Sequence, residues 1–234
     1  MKRFYNEVSV DLSAENGSGW CVALDGRAIR TPAGQPQIVP TQALASAMAE
    51  EWAGQNEEID PAAFGLRDLA DYVLDSVRSQ RDTLVPEIAA YAQTDTLCYR
   101  ADEGDALHNR QMAIWEPLLL AAEARWDARF VRISGIMHRP QPAETLGRMR
   151  AAVEQHDEFA LAALHMLASL SASLVIALAA LEPDADADSL WQAANLEEDW
   201  QAEKWGLDTE AEQARNIRFE AFAMAIRFAR LARS

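Results

Sequence analysis

Basic residues are in short supply in this 234-residue chain: 21 Lys and Arg stand against 37 Asp and Glu, a formal net charge of −16. Nucleic acids and anionic lipid surfaces both require a positive face, so neither is a general partner. The shortage is spread evenly, with 8 basic and 15 acidic groups in residues 1–100 and 13 and 22 in residues 101–234. There is no acidic tail; the whole surface is anionic, which favours solubility and basic partners. Cysteine is scarcer still. Cys21 and Cys98 lie too far apart for a CxxC redox pair, and two are too few for a four-cysteine zinc site or a disulfide framework. Their neighbours Trp20, Val22, Leu97 and Tyr99 predict buried, reduced thiols. No basic-then-apolar signal stretch opens the chain, and no Arg-rich, acid-poor presequence precedes Phe4, so a bacterial cytoplasm is the expected compartment.

Motifs of common chemistry are also missing. There is no GxxxxGK[ST], GxGxxG or GxSxG, and Gly17 and Gly19 stand in a turn with no helix after them. His108, His138, His156 and His165 form neither HExxH nor an i, i+4 pair, so no metal site is expected. Asp184, Asp186 and Asp188 begin like a calcium loop, but Ser189 replaces the required glycine and Asn195 the bidentate glutamate. Three acids there suit the start of a helix instead.

Half the residues are apolar, enough for a core, and the length fits one large or two small domains. Val8, Val10 and Leu12 alternate with polar residues, as do Trp20, Val22 and Leu24, the period of half-buried strands. A turn is expected at Asn16–Gly19, and Asp25-Gly26 predicts a tight hairpin because both positions favour positive φ. Arg27 to Thr31 should return antiparallel, and Pro36 to Val39 suits a short edge strand. Helices follow: Thr41 caps one carrying Leu44, Met48 and Trp52, and others are expected at about 63–79, 84–93, 107–126, 143–155, 157–181, 186–205 and 209–232. Pro117 should kink the fourth of these or start part of it. Thr96–Arg100 and Phe130–Ile136 read as a strand pair. The expected class is α+β, with a small β-rich domain over 1–64 and a mainly helical domain over 65–234. Phe159 to Leu181 is free of charge for 23 positions, long enough to cross a bilayer. Its histidine, serines and alanines, without flanking basic clusters, favour a central bundle helix over a membrane span.

Leu196 to Gly206 carries the most informative residues. On one continuous helix, Trp191, Asn195, Glu198, Ala202 and Trp205 share a face, while Trp200 and Leu196 lie towards the other, so the helix should be contacted on two sides. Glu198 between two indoles must find a donor or raise its pKa. It reads as an arginine-paired structural carboxylate, a partner-recognition group, or the general acid of a small helical enzyme in which Glu198 or Glu203 works with His165 or an arginine. Trp52 extends an apolar stripe and is core or a recognition aromatic. Arg215, Arg218, Arg227, Arg230 and Arg233 read as an intramolecular answer to the acid excess.

Taken in order, several segments are familiar: Arg3-Phe4-Tyr5, Leu24 through Pro32, Glu51-Trp52, Tyr91 through Arg100, Gln111-x3-Trp115-x-Pro117-Leu118, Phe159 through His165, and Glu198-Asp199-Trp200-Gln201-x3-Trp205-Gly206. Together they resemble the assembly chaperones of F-type ATP synthase that guard the α subunit of its catalytic head. The resemblance implies two domains, no catalysis and no cofactor. It also implies a client, the unassembled α subunit, kept from aggregating until the β subunit replaces the chaperone. It points to Glu198, Trp200, Gln201, Trp205 and Gly206 as partner-binding residues, with Trp52 and the Asp25-Gly26-Arg27 hairpin as weaker candidates. It further implies a chain that is monomeric when free, and a mitochondrial matrix location in eukaryotic relatives.

Overall fold

The computed structural model describes residues 1–13, 19–135, 139–206 and 209–233, and its chain divides into two compact units. The first comprises residues 1–81, 157–163 and 227–234; the second comprises 82–156 and 164–226. The turn expected at Asn16–Gly19 falls, apart from Gly19, outside the described residues, as do Ile136 and His138.

The first unit opens with an antiparallel meander of β1 (Val8–Leu12), β2 (Trp20–Leu24) and β3 (Arg27–Ala28). Val8 faces Leu24 and Val10 faces Val22, the register that keeps the alternating apolar residues on one face. Asp25 at φ 48° and Gly26 at φ 74° turn the hairpin, the left-handed geometry the dipeptide predicts. Asp25 Oδ1 accepts from the amides of Asn6 and Glu7, which holds its carboxyl below the ordinary range and pins the turn to the chain before β1. Residues 36–39 do not form the expected strand. They make only isolated bridges, Arg30 with Pro36 and Trp20 with Val39, because Pro36 brings no N–H to a ladder.

Helix α1 (Gln42–Ala53) starts at Thr41, whose Oγ1 accepts from the Leu44 amide and donates to the Leu231 carbonyl. Its buried face carries Leu44, Met48 and Trp52. Glu51 on the next position accepts from the first amides of α2 (Gly65–Tyr72), those of Leu66 and Arg67, and so fixes where that helix begins. A π turn over Val73–Val77 leads into α3 (Arg78–Ala90), which bends at Gln80 (φ −116°, ψ 16°).

The second unit is helical around α4 (Ala106–Trp126), which runs unbroken through Pro117. Trp115 is fully buried on it and donates its indole N–H to the Ala193 carbonyl at 2.7 Å. The expected strand pair is present in brief: β4 (Tyr99–Arg100) lies parallel to β5 (Ile133–Ser134). Beside it Arg132 bridges Glu116 and Glu123, and Glu116 also pairs with Arg100. Then come α5 (Ala143–Glu154), α6 (Glu158–Ser171), α7 (Leu174–Ala180), α8 (Ala187–Ala194), α9 (Leu196–Trp205) and α10 (Thr209–Arg233).

Two helices expected to be continuous are broken. The 157–181 stretch parts at Ala172, which sits at φ 49°, and Ser173, whose Oγ caps α7 through the Ile176 amide. The buried carboxylate of Asp95 holds the break, accepting from Ser173 Oγ at 2.7 Å and from the Val175 amide at 3.0 Å. Among the described residues no helix is long and apolar enough to cross a membrane. The 186–205 stretch parts at Asn195 (φ −107°, ψ 17°), whose side chain turns back to the Trp191 carbonyl. Asp186 caps α8 through Ser189, the helix start that the acidic run predicted. Cys21 and Cys98 are both buried and neither is in a disulfide, and burial pushes the Cys98 thiol up to about 12.

Candidate functional site around helix α9

The first turn of α9 carries three consecutive acids and its last turn carries Lys204, the order that the helix dipole favours. Leu196 is its one buried residue and anchors it. Gly206 ends it at φ 85°, donating its amide to the Ala202 carbonyl at 2.8 Å. A side chain at that φ is strained, so the Trp-Gly pair leaves Trp205 on the last turn and then turns the chain away.

The acids of α9 are tied down from two neighbouring helices. From α10, Arg218 pairs with Glu198 at 2.9 Å and Arg215 with Asp199 at 2.6 Å. From α4, Arg110 pairs with Glu203 at 2.7 Å and Gln111 donates to Glu197 at 2.8 Å. The hydrogen bond from Arg110 holds the Glu203 carboxyl below the ordinary range. Arg215 and Arg218 are three apart, one turn of α10, which matches the adjacent Glu198 and Asp199. That spacing was the signal for the α10 half of the belt. Arg110 and Gln111 lie more than eighty residues earlier in the chain, and no local signal reveals them.

Glu198 is therefore neither buried nor unpaired. Its side chain is 56% exposed and it has found its donor in Arg218. The continuous-helix reading that set it between two indoles is corrected by the break at Asn195: Trp191 is buried against Phe219 and Phe222, whereas Trp205 is 76% exposed. The His165 ring lies 3.7 Å from Glu87, while Glu198 is paired with Arg218. Arg227 likewise faces an acid, Glu50, at 3.5 Å, so Arg215, Arg218 and Arg227 of α10 each answer an acidic group of the same chain.

Grooves lie on both sides of α9. One, of about 490 Å³, is lined by Glu198, Gln201, Trp205, Gly206 and the α10 residues Arg215 and Arg218. The other, of about 530 Å³, is lined by Arg110 and Ile114 of α4 with Leu196, Asp199 and Glu203. Trp200 lies half-buried between cations, 4.5 Å from Lys204 Nζ and 5.7 Å from the Arg110 guanidinium. So Glu198, Gln201, Trp205 and Gly206 gather at one groove, and Trp200 turns towards Arg110, a residue of the other. Trp52 belongs to the first unit, where it is 7% exposed and packs between Tyr5 and Phe64. Bare apolar side chains line the two grooves, Trp205 in one and Ile114 of α4 in the other, and Ile217 elsewhere on α10 is 67% exposed. The sequence offers no mark for Ile217, which sits in a polar stretch of α10.

The arrangement is a grooved, charge-paired surface. Glu198, Asp199 and Glu203 are paired with arginines and Glu197 accepts from the Gln111 amide, and the most prominent feature is an exposed indole at a helix end. Residues 2–123 match the family model described as ATP12 chaperone protein. The crystal structure of Atp12 from Paracoccus denitrificans superposes with a TM-score of 0.92 at 37% identity, covering 99% of this chain and 98% of that one. A candidate chaperone from Agrobacterium tumefaciens superposes with a TM-score of 0.92 at 35% identity, covering 98% of this chain and 85% of that one. By the span of the family model and by identity along nearly its whole length, this chain belongs to the ATP12 chaperone family.

Proposed function

We propose that the chain is an assembly chaperone of F-type ATP synthase that binds the unassembled α subunit of the catalytic head and keeps it from aggregating until the β subunit takes its place. Family membership supports the chaperone activity. The observation that carries the site is Trp205, an indole 76% exposed at the rim of a groove. Tryptophan flanked by arginine and polar neighbours is also the composition of interface hot spots. The ion pairs of Glu198 and Asp199 fix α9 in place, so Trp205 and Gln201 are presented on a set helix end. Glu198, at the same groove, is the group that reads the client's charge. The chain works without catalysis or cofactor, as a monomer when free, in the bacterial cytoplasm. Its mechanism is mass action: a client surface held by the chaperone cannot self-associate, and a tighter partner later displaces it.

Light scattering of isolated α subunit on warming tests this. An equimolar amount of the chaperone should suppress the signal, and size exclusion should show a complex at micromolar concentration. Scattering unchanged by the chaperone, with no complex formed, would sink the reading. Glu198→Lys should abolish both effects while the circular dichroism and melting temperature of the variant stay close to those of the parent. A Glu198→Lys variant that protects the client normally removes Glu198 from the recognition surface.

A further inference from the structure

The first unit contains a pocket of about 700 Å³ that the α9 site does not use. Tyr5, Leu24 and Trp52 form its apolar wall. Two of its lining residues carry buried polar atoms with no partner among the described residues: the indole N–H of Trp52 and the carbonyl oxygen of Gln37. Trp52 is 7% and Gln37 1% exposed. Leaving a buried donor or acceptor unpaired costs about 1–3 kcal/mol, so an unmatched pair in one pocket calls for a ligand that supplies both halves. The other end of Gln37 is committed, since its Nε2 donates to Asp71.

A second feature adjoins this pocket. β3 is the edge strand of its sheet, and Ala28, which lines the pocket, is exposed. Leu24 and Arg27 close the two-residue hairpin, and Ile29 donates to the Val22 carbonyl. Hydrogen-bonded and non-bonded pairs alternate in an antiparallel ladder, so Ala28, opposite Ala23, points its N–H and C=O away from β2. That is an open edge amide at the lip of an apolar pocket. Pairing there gives affinity and the pocket gives specificity, the usual division of labour when a peptide is added to a sheet. The mouth also has a charge preference. Arg27 and Arg30 are exposed, while the lining carboxylates are turned elsewhere, Asp25 to the Asn6 and Glu7 amides and Asp71 to Gln37.

We propose that the β3 edge and this pocket bind an extended segment of a partner polypeptide as an added strand. The segment pairs with the Ala28 amide and seats a side chain with an apolar body and an uncharged donor-and-acceptor tip, as in glutamine, with acidic residues on either side. The inference holds whichever client the α9 site receives.

Titration of the 15N-labelled full chain with acetyl-Glu-Val-Gln-Val-Glu-amide tests it, reading the Trp52 indole resonance, assigned as the peak lost in Trp52→Phe. A saturable downfield shift is expected. Leucine in place of the central glutamine should weaken binding roughly 5- to 100-fold, the loss of one buried partnered group. N-methylation of the two valine amides should weaken it about tenfold or more, and lysines in place of the glutamates should weaken it at low salt. Ala28→Pro removes only the outward N–H and should abolish the shift with the melting temperature unchanged. Three outcomes overturn the proposal: an indole resonance that stays in place at millimolar peptide, an N-methylated peptide that binds as well as its parent, or propionamide alone reproducing the full shift. The N-methylated peptide leaves the protein untouched, so the test survives a variant that fails to fold.

Discussion

Trp52 and Trp205 occupy opposite circumstances. Trp52 is packed between Tyr5 and Phe64, accepts the Tyr5 hydroxyl on its backbone carbonyl at 2.6 Å, and still leaves its indole N–H buried without an acceptor. Trp205 stands in solvent at a helix end, on a helix whose Glu198, Asp199 and Glu203 are paired with arginines. An exposed leucine means little on a protein surface; a bare indole and a buried orphan polar atom are the two deviations that carry information. Neither kind is confined to one unit, since among the described residues Arg100 and Arg215 of the second also bury unpartnered nitrogens and Phe4 and Leu12 of the first are exposed, but Trp52 and Trp205 set the two side by side in one residue type. The same contrast separates two carboxylates of the second unit. Asp95 is fully buried and holds the α6–α7 break, while Glu198 is half exposed and holds only Arg218.

Replacing each tryptophan by alanine should split the pair most widely. Trp52→Ala empties a packed site and should cost about 3–5 kcal/mol in urea unfolding, whereas Trp205→Ala should stay within about 0.5 kcal/mol of the parent. Equal costs would place Trp205 in a packed environment and break the comparison. The carboxylates come next. Burial pushes the Asp95 carboxyl from 3.8 up to about 6, against the hydrogen bonds that favour its charge. Between these values the folded chain keeps a proton that the unfolded chain has released. This group's contribution is therefore complete below about pH 4 and is lost as pH rises through 6, a change of about 3 kcal/mol at 1.36 kcal/mol per unit. Asp95→Asn removes that dependence, so the stability difference between parent and variant should shrink by about that much from pH 4 to 7. A difference that stays constant with pH contradicts the assignment. Glu198→Gln should cost about 0–1 kcal/mol, less in high salt, because its pair with Arg218 is exposed. The smallest effect is chemical: iodoacetamide at pH 8 should leave Cys21 and Cys98 unmodified in the folded chain and alkylate both in urea, as the buried sites and the raised Cys98 pKa require.

Local chemistry accounts for what was legible in the sequence. The Asp25-Gly26 turn, the Thr41 cap and the Asp186 helix start each depend on one or two residues acting on their own backbone, and each stands as expected. Antiparallel β1 and β2 and the burial of Leu44, Met48 and Trp52 follow from periodicity. The misses share a different origin. Ser173 breaks a charge-free stretch that reads as one helix, and the partner responsible, Asp95, lies 78 residues away. Gln111 reaches Glu197 across 86 residues and Arg110 reaches Glu203 across 93, so half of the belt that fixes α9 has no sequence signature. Glu198 and Trp205 could be named from their motif, yet the exposure of both came as a result of the Asn195 break and the α10 arginines. The N-terminal pocket was invisible for a further reason: an unpaired atom is a property of three-dimensional surroundings, and Gln37 and Trp52 look like ordinary core neighbours in the chain.

The dissociation constant of the Trp205→Ala variant for isolated α subunit, measured beside that of Trp52→Phe and with both melting temperatures recorded, tests the central claim most directly. The account predicts a loss of tenfold or more for Trp205→Ala, the usual cost of removing an interface anchor of about 2 kcal/mol, with its melting temperature unchanged. Binding by Trp205→Ala as tight as that of the parent would contradict it.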